Sequence, residues 1–234
     1  MMKHTWIYIT LVFIGMCCAE IEAQSFWFGP KVGATLGIQR WNNFERQPLF
    51  AGHGAFFIET VDEDKTLGSL YAQLGLHQRG SATRSFINSW DNVLVPGLRF
   101  VFNNISLQVG AKKFMNDKFY YLIGVRGEYT VSTNLEELNE RFVSPSFPQP
   151  ESVRPLVAGI TGGAGYQFEI SELYGAGIEF TVNPDFYNNY YTPAIPNIIS
   201  PITGNSITLP ETSIRNTTLE VTLVLRFLRK VEYY

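Results

Sequence analysis

The chain has 234 residues, with 18 Lys+Arg against 21 Asp+Glu and a formal net charge of −3. That balance offers no electrostatic basis for nucleic-acid binding, which rests on cationic surface. Both cysteines, Cys17 and Cys18, fall in the first two dozen residues. The remainder therefore has no disulfide, thiol nucleophile or Cys-ligated zinc to draw on.

Residues 1–23 have the form of a removable secretory signal peptide: Lys3, then the apolar run Trp6–Ala19, then the small Ala23 at the cut. The run is shorter than the ~20 residues a membrane helix needs. A retained anchor is the alternative, and a lipoprotein signal at Cys17 and Cys18 is disfavoured by the bulky Met16. Without Lys3, Glu20 and Glu22, residues 24–234 carry 17 basic and 19 acidic residues, a net of −2. This length suits one domain. Mean hydropathy is near zero, yet no later stretch approaches a membrane helix. The apolar residues are instead dispersed by alternation, as in transmembrane barrel strands.

Eight segments show period 2 or bounded strand character. The first, Lys31–Gln39, turns Val32, Ala34, Leu36 and Ile38 to one side. The second is Phe50–Val61, and the third, Thr66–Arg79, sets Leu70, Ala72, Leu74 and Leu76 against Tyr71, Gln73, His77 and Arg79. The fourth and fifth are Arg99–Phe114 and Phe119–Ser132. The sixth, seventh and eighth are Arg154–Ile170, Leu173–Val182 and Asn216–Leu228. Connections alternate. Arg40–Leu49, Gly80–Leu98, Thr133–Val153 and Asn183–Arg215 are long; 62–65, 115–118 and 171–172 are tight turns. Eight strands with both ends in the periplasm require four outer loops and three short turns, in that order. The expected fold is thus all-β, an eight-stranded antiparallel up-and-down transmembrane β-barrel in the outer membrane.

Prolines support the loop reading, because proline cannot donate to a ladder. Pro184, Pro193, Pro196, Pro201 and Pro210 fall in 183–215; Pro145, Pro148 and Pro150 fall in 133–153, after an acidic piece (135–140) suited to one helical turn. Aromatics at strand ends predict two girdles. Phe26, Trp27, Phe28, Phe114, Tyr120, Tyr121, Tyr174, Phe227, Tyr233 and Tyr234 would form the periplasmic one. Trp41, Phe44, Phe50, Trp90, Tyr129 and Phe180 would form the outer one.

With the apolar face given to lipid, ten charges remain inside: Lys31, Arg79, Lys112, Arg126 and Arg226 against Glu59, Glu128, Glu169, Glu179 and Glu220. An eight-stranded barrel has room only for side chains, and buried charges must pair. A structural charge network that plugs the lumen is expected, rather than a pore. The two histidines of residues 24–234, His53 and His77, show no triad spacing. The Gly159–Gly165 run lacks the Lys-Ser/Thr of a phosphate loop and reads as close strand packing. No catalytic residue, metal site or cofactor is expected. Asp185 is placed in a loop.

Several pieces carry a resemblance: Phe28–Ala34, Phe50–Phe57 with Glu59, Leu70–Gly75, Gly162–Tyr166 and the closing Leu219–Phe227. Over nearly all of residues 24–234 the chain resembles the PorT-type outer-membrane β-barrel family of Bacteroidota. The resemblance implies a cofactor-free eight-stranded barrel, in some members serving type IX secretion or gliding. Such barrels commonly end at a terminal aromatic, whereas this chain continues from Phe227 to Tyr234. The leading expectation is a non-enzymatic envelope barrel whose loops 133–153 and 183–215 meet protein partners. A small-solute or lipid-handling channel, a barrel enzyme acting on lipid or peptide, and a soluble lipocalin-like carrier are the alternatives.

Overall fold

The computed structural model describes residues 25–42, 46–61, 68–83, 86–87, 94–95, 97–141, 149–199 and 204–230. The expected signal peptide, and Phe44, Trp90, Tyr233 and Tyr234 of the expected girdles, lie outside the described residues. Eight long strands carry the fold: β1 Phe26–Trp41, β2 Gln47–Thr60, β3 Ser69–Ala82, β4 Arg99–Phe114, β5 Phe119–Thr133, β6 Leu156–Glu169, β7 Tyr174–Pro184 and β8 Thr212–Arg229. Each pairs antiparallel with its neighbour in sequence, and β8 returns to β1. The closing ladder runs from Phe26 opposite Arg229 to Trp41 opposite Ile214. The fold is an eight-stranded antiparallel up-and-down β-barrel.

All eight expected strands are present, and most are longer than their patterning. β1 starts at Phe26 rather than Lys31 and includes Pro30. Pro30 pairs with Phe56 of β2 but has no partner in β8, so its missing amide falls in a gap of that ladder. β8 begins at Thr212 rather than Asn216. Its extension pairs with Tyr190–Thr192 in the preceding loop. That loop also contains a separate two-stranded hairpin, Ile195–Ile199 with Ser206–Leu209. Pro196 is tolerated there because each strand of a two-stranded ribbon has a free edge.

Side chains sort by parity. On the outside lie Leu70, Leu74 and Leu76 of β3, Leu107 and Val109 of β4, Ile123 and Val125 of β5, and Leu223 and Leu225 of β8, all exposed. On the inside lie Lys31, Glu59, Arg79, Lys112, Arg126 and Glu128, all buried. An apolar wall around a charged interior suits a barrel set in lipid. It is the inverse of a soluble carrier, which encloses an apolar cavity. Alternation also corrects part of the girdle. Tyr121 and Tyr174 face out, but Tyr120 is 1 % exposed and points inward, as the even-numbered register of β5 requires. Trp41 turns into the barrel mouth, where its ring packs edge-on to Phe100 at 5.3 Å.

Leu74, in the middle of β3, tests the wall. Leu74→Arg is expected to destabilise the barrel in liposomes by ~2–4 kcal/mol, the cost of an arginine at the bilayer midplane. Equilibrium unfolding measures it, and an unchanged stability would show that this face does not meet lipid.

Candidate functional site: the charged lumen and its mouth

Parity brings together side chains from strands far apart in sequence. Towards the end with the short turns, Lys31 of β1 pairs with Glu179 of β7 at 2.6 Å, and the Tyr120 hydroxyl donates to the other Glu179 oxygen at 2.8 Å. Glu59 accepts from Lys112 at 2.9 Å, from Ser69 at 2.9 Å and from Arg226 at 3.3 Å. Aromatic faces complete the cations' surroundings. Lys112 Nζ lies 3.8 Å from the Tyr120 ring centre, and the Arg226 guanidinium lies 4.5 Å from that of Trp27. The glycine run of β6 serves this packing: a Cβ at Gly165 would sit 2.3 Å from Tyr120 Cζ.

The second cluster lies towards the end with the long connections. Glu128 of β5 is approached by Arg126 Nε at 2.6 Å, Arg79 Nη2 at 2.6 Å and His77 Nε2 at 3.2 Å, and accepts from Asn104 at 3.0 Å. Arg79 Nη1 donates to both oxygens of Asp185, at 2.9 and 3.0 Å. Arg126 Nη2 reaches Asp185 Oδ1 at 2.9 Å. Two arginines and two carboxylates thus alternate around one buried square, with charge-assisted bonds on most sides. Glu220 accepts from Thr181 at 3.2 Å, and His53 Nε2 lies 2.9 Å from the Thr222 hydroxyl oxygen.

Nine of the ten expected charges meet in these clusters or beside them. Glu169 does not. It keeps the inward register but is the last residue of β6, where the lumen opens, and it is exposed. Asp185, expected in an outer loop, takes its place. It follows Pro184 directly, its backbone nitrogen donates to Asn216, and its carboxylate turns into the lumen. Five positive and five negative side chains still balance. The signal for Asp185 was its odd parity, continuous with Glu179, Thr181 and Asn183. The proline beside it masked that continuation.

Between the clusters, the space bordered by His53, His77, Gln108, Arg126 and Glu220 has a volume of about 10 Å³, room for roughly one water. At the mouth above lies an apolar cluster. Helix α1, Leu135–Arg141, buries Leu135 and Leu138 against Phe100 and Phe102, with Trp41, Leu98 and Val153 packed around them. Asn134, just before α1, binds one edge of the β4 backbone, its Oδ1 accepting from Val101 N and its Nδ2 donating to Arg99 O. The Arg46 guanidinium lies 4.0 Å from the Trp41 ring centre, and burial there lowers its pKa to about 10.

The chain matches no protein-family model and no curated protein sequence. Solved barrels are similar in structure. Ail, the attachment invasion locus protein of Yersinia pestis, is 14% identical over 86% of this chain and 99% of its own, with a TM-score of 0.40. The outer membrane protein OprG of Pseudomonas aeruginosa is 11% identical over 88% and 96%, TM-score 0.44. The outer membrane protease OmpT of Escherichia coli is 8% identical over 88% and 97%, TM-score 0.39.

Asp185→Asn is expected to cost ~3–5 kcal/mol, because it leaves Arg79 and Arg126 short of a buried counter-charge. Glu169→Gln should change stability by no more than ~0.5 kcal/mol. Denaturant unfolding in detergent compares them, and equal effects would contradict this assignment of the network. Gly165→Ala should cost ~1–3 kcal/mol by driving Tyr120 off Glu179, visible in the same measurement.

Proposed function

We propose that the chain is a non-enzymatic outer-membrane barrel with a plugged polar lumen, a scaffold in the cell envelope for outward loops that meet protein partners. The observation that carries this reading is the side-chain packing of the described interior: two buried ion-pair clusters, a space of about 10 Å³ beside His53, His77 and Arg126, and α1 packed on Phe100 and Phe102 at the mouth. A conducting channel would need a continuous wet path through that interior. The apolar wall supports a bilayer location, and residues 1–23, read as a secretory signal, support export. With eight strands both chain ends fall on one side of the barrel, which in this reading is the periplasmic one, and the four long connections lie outside. Loops 133–153 and 183–215 are the partner surfaces in this reading. They carry α1, the turn Pro150–Ser152 and the hairpin Ile195–Ile199/Ser206–Leu209. Catalysis is disfavoured by the setting of His77, which is buried against Glu128 inside the ion-pair square. The resemblance to the PorT-type family of Bacteroidota supports an accessory role in a secretion or gliding machine as the finer form of this reading.

Recovery from outer membranes with heat-modifiable gel migration, and no conductance steps in planar bilayers, are the expected outcomes. Partner cross-links on intact cells should disappear when 194–210 is shortened to a tight turn, which spares Asp185 and the paired ends of β7 and β8, while heat-modifiability persists. Stable conductance steps, or hydrolysis of envelope lipid or peptide abolished by His77→Ala, would overturn the reading.

A further inference from the structure

Outward-facing charge is confined to strand ends. In the described strands the outward register carries Arg40, Arg99 and Arg215 towards the long connections, and Lys113 and Arg229 towards the short turns. Arg99 lies opposite Ala82. Arg40 lies directly opposite Arg215 in the ladder that closes the barrel. Both are exposed, and neither has an ion-pair partner among the described residues.

Like charges directly opposed across two strands are destabilising, with Cβ atoms only ~4.5–5.5 Å apart. A single anion bound in front of the pair would relieve that penalty, and both side chains are long enough to turn towards it. Arg215 is turned towards β7, where its Nη2 donates to the Phe186 carbonyl at 3.0 Å, and its other N–H groups stay available to a ligand. Phe186 and Tyr187 beside it are exposed, with ring centres 6.4 Å apart. Exposed Tyr191 stands opposite Ser213. Aromatics on the wall of a membrane barrel mark the headgroup level. On the membrane side of the pair the outward residues become apolar: Ile38 and Leu36 on β1 and, beyond Thr217, Leu219 and Val221 on β8. The two guanidinium groups thus stand at the border between hydrocarbon and water. Phosphate oxygens match the guanidinium fork bidentately.

We propose that Arg40 and Arg215 form a clamp for the phosphate of an outer-leaflet lipid headgroup. The inference rests on the outer-membrane reading above. The test uses the full chain purified from membranes in detergent, with lipid retention read by native mass spectrometry. Monophosphoryl lipid A is compared with an acyl-matched glycolipid that lacks the phosphate. The phosphorylated lipid should bind at least tenfold more tightly. Arg40→Gln/Arg215→Gln should bring it down to the level of the unphosphorylated lipid, and Arg99→Gln should leave it unchanged. Equal retention of the two lipids by the unmodified protein would overturn the proposal without any variant. So would full retention by the double variant. Displacement of lipid A by millimolar inorganic phosphate would identify a site for free phosphate and overturn the lipid assignment. Heat-modifiable migration, read on the same samples, separates failure of the clamp from failure of the barrel reading.

Discussion

Backbone amides in hydrocarbon have no water to turn to, and each one left without a partner costs several kcal/mol. The pairing of β8 with β1 removes the two edges that an eight-stranded sheet would otherwise expose. Everything else in the molecule follows from that closure. Once the ring is shut, parity alone divides the side chains between lipid and a narrow interior, and no strand can slip by one residue without turning its charges into the bilayer. The interruption at Pro30 is tolerated because it spares the rest of the ladder on either side.

Closure also makes the interior a problem of neutrality. A lumen this narrow cannot solvate ten charges, so they solvate each other. Glu59, Glu128, Glu179 and Asp185 each accept from a cation and at least one further donor. Aromatic faces at Tyr120 and Trp27 serve the cations where oxygen ligands run out. The mouth is packed differently. There Phe100, Phe102, Leu135 and Leu138 make a small apolar core, suited to a place where side chains from one short helix meet one strand end.

The barrel was legible because its two alternations are long-range and redundant. Each strand repeats the in–out code several times, and the order of long and short connections checks the count independently. Nine of the ten lumen charges could therefore be assigned from register alone. The misassignments share a cause: each sits at an element end. Glu169 obeys the parity of β6 but runs past the enclosed part of the lumen. Asp185 obeys the parity of β7 but lies behind Pro184, which reads as the end of a strand. Trp27, Trp41, Phe114 and Tyr120 looked like girdle members by position, and the register sent all four inward. Sequence patterning says which face a residue occupies; it does not say where along the axis the interior stops being enclosed. The identity of the cation at most carboxylates was likewise out of reach, since most of the ion pairs join strands that are not neighbours in the sheet.

The square formed by Arg79, Glu128, Arg126 and Asp185 has a consequence for the order of events in biogenesis. Arg79 and Asp185 are separated by 106 positions in the chain, and Arg126 and Asp185 by 59. Strands β3 and β5 thus emerge carrying cations whose full complement of acceptors is synthesised only after β7. A chain that threaded into lipid one hairpin at a time would hold those guanidinium groups without Asp185 for most of the process. The arrangement favours a nascent barrel that stays open to water along one seam until its last third arrives, so that neutralisation and sealing happen in a single late step.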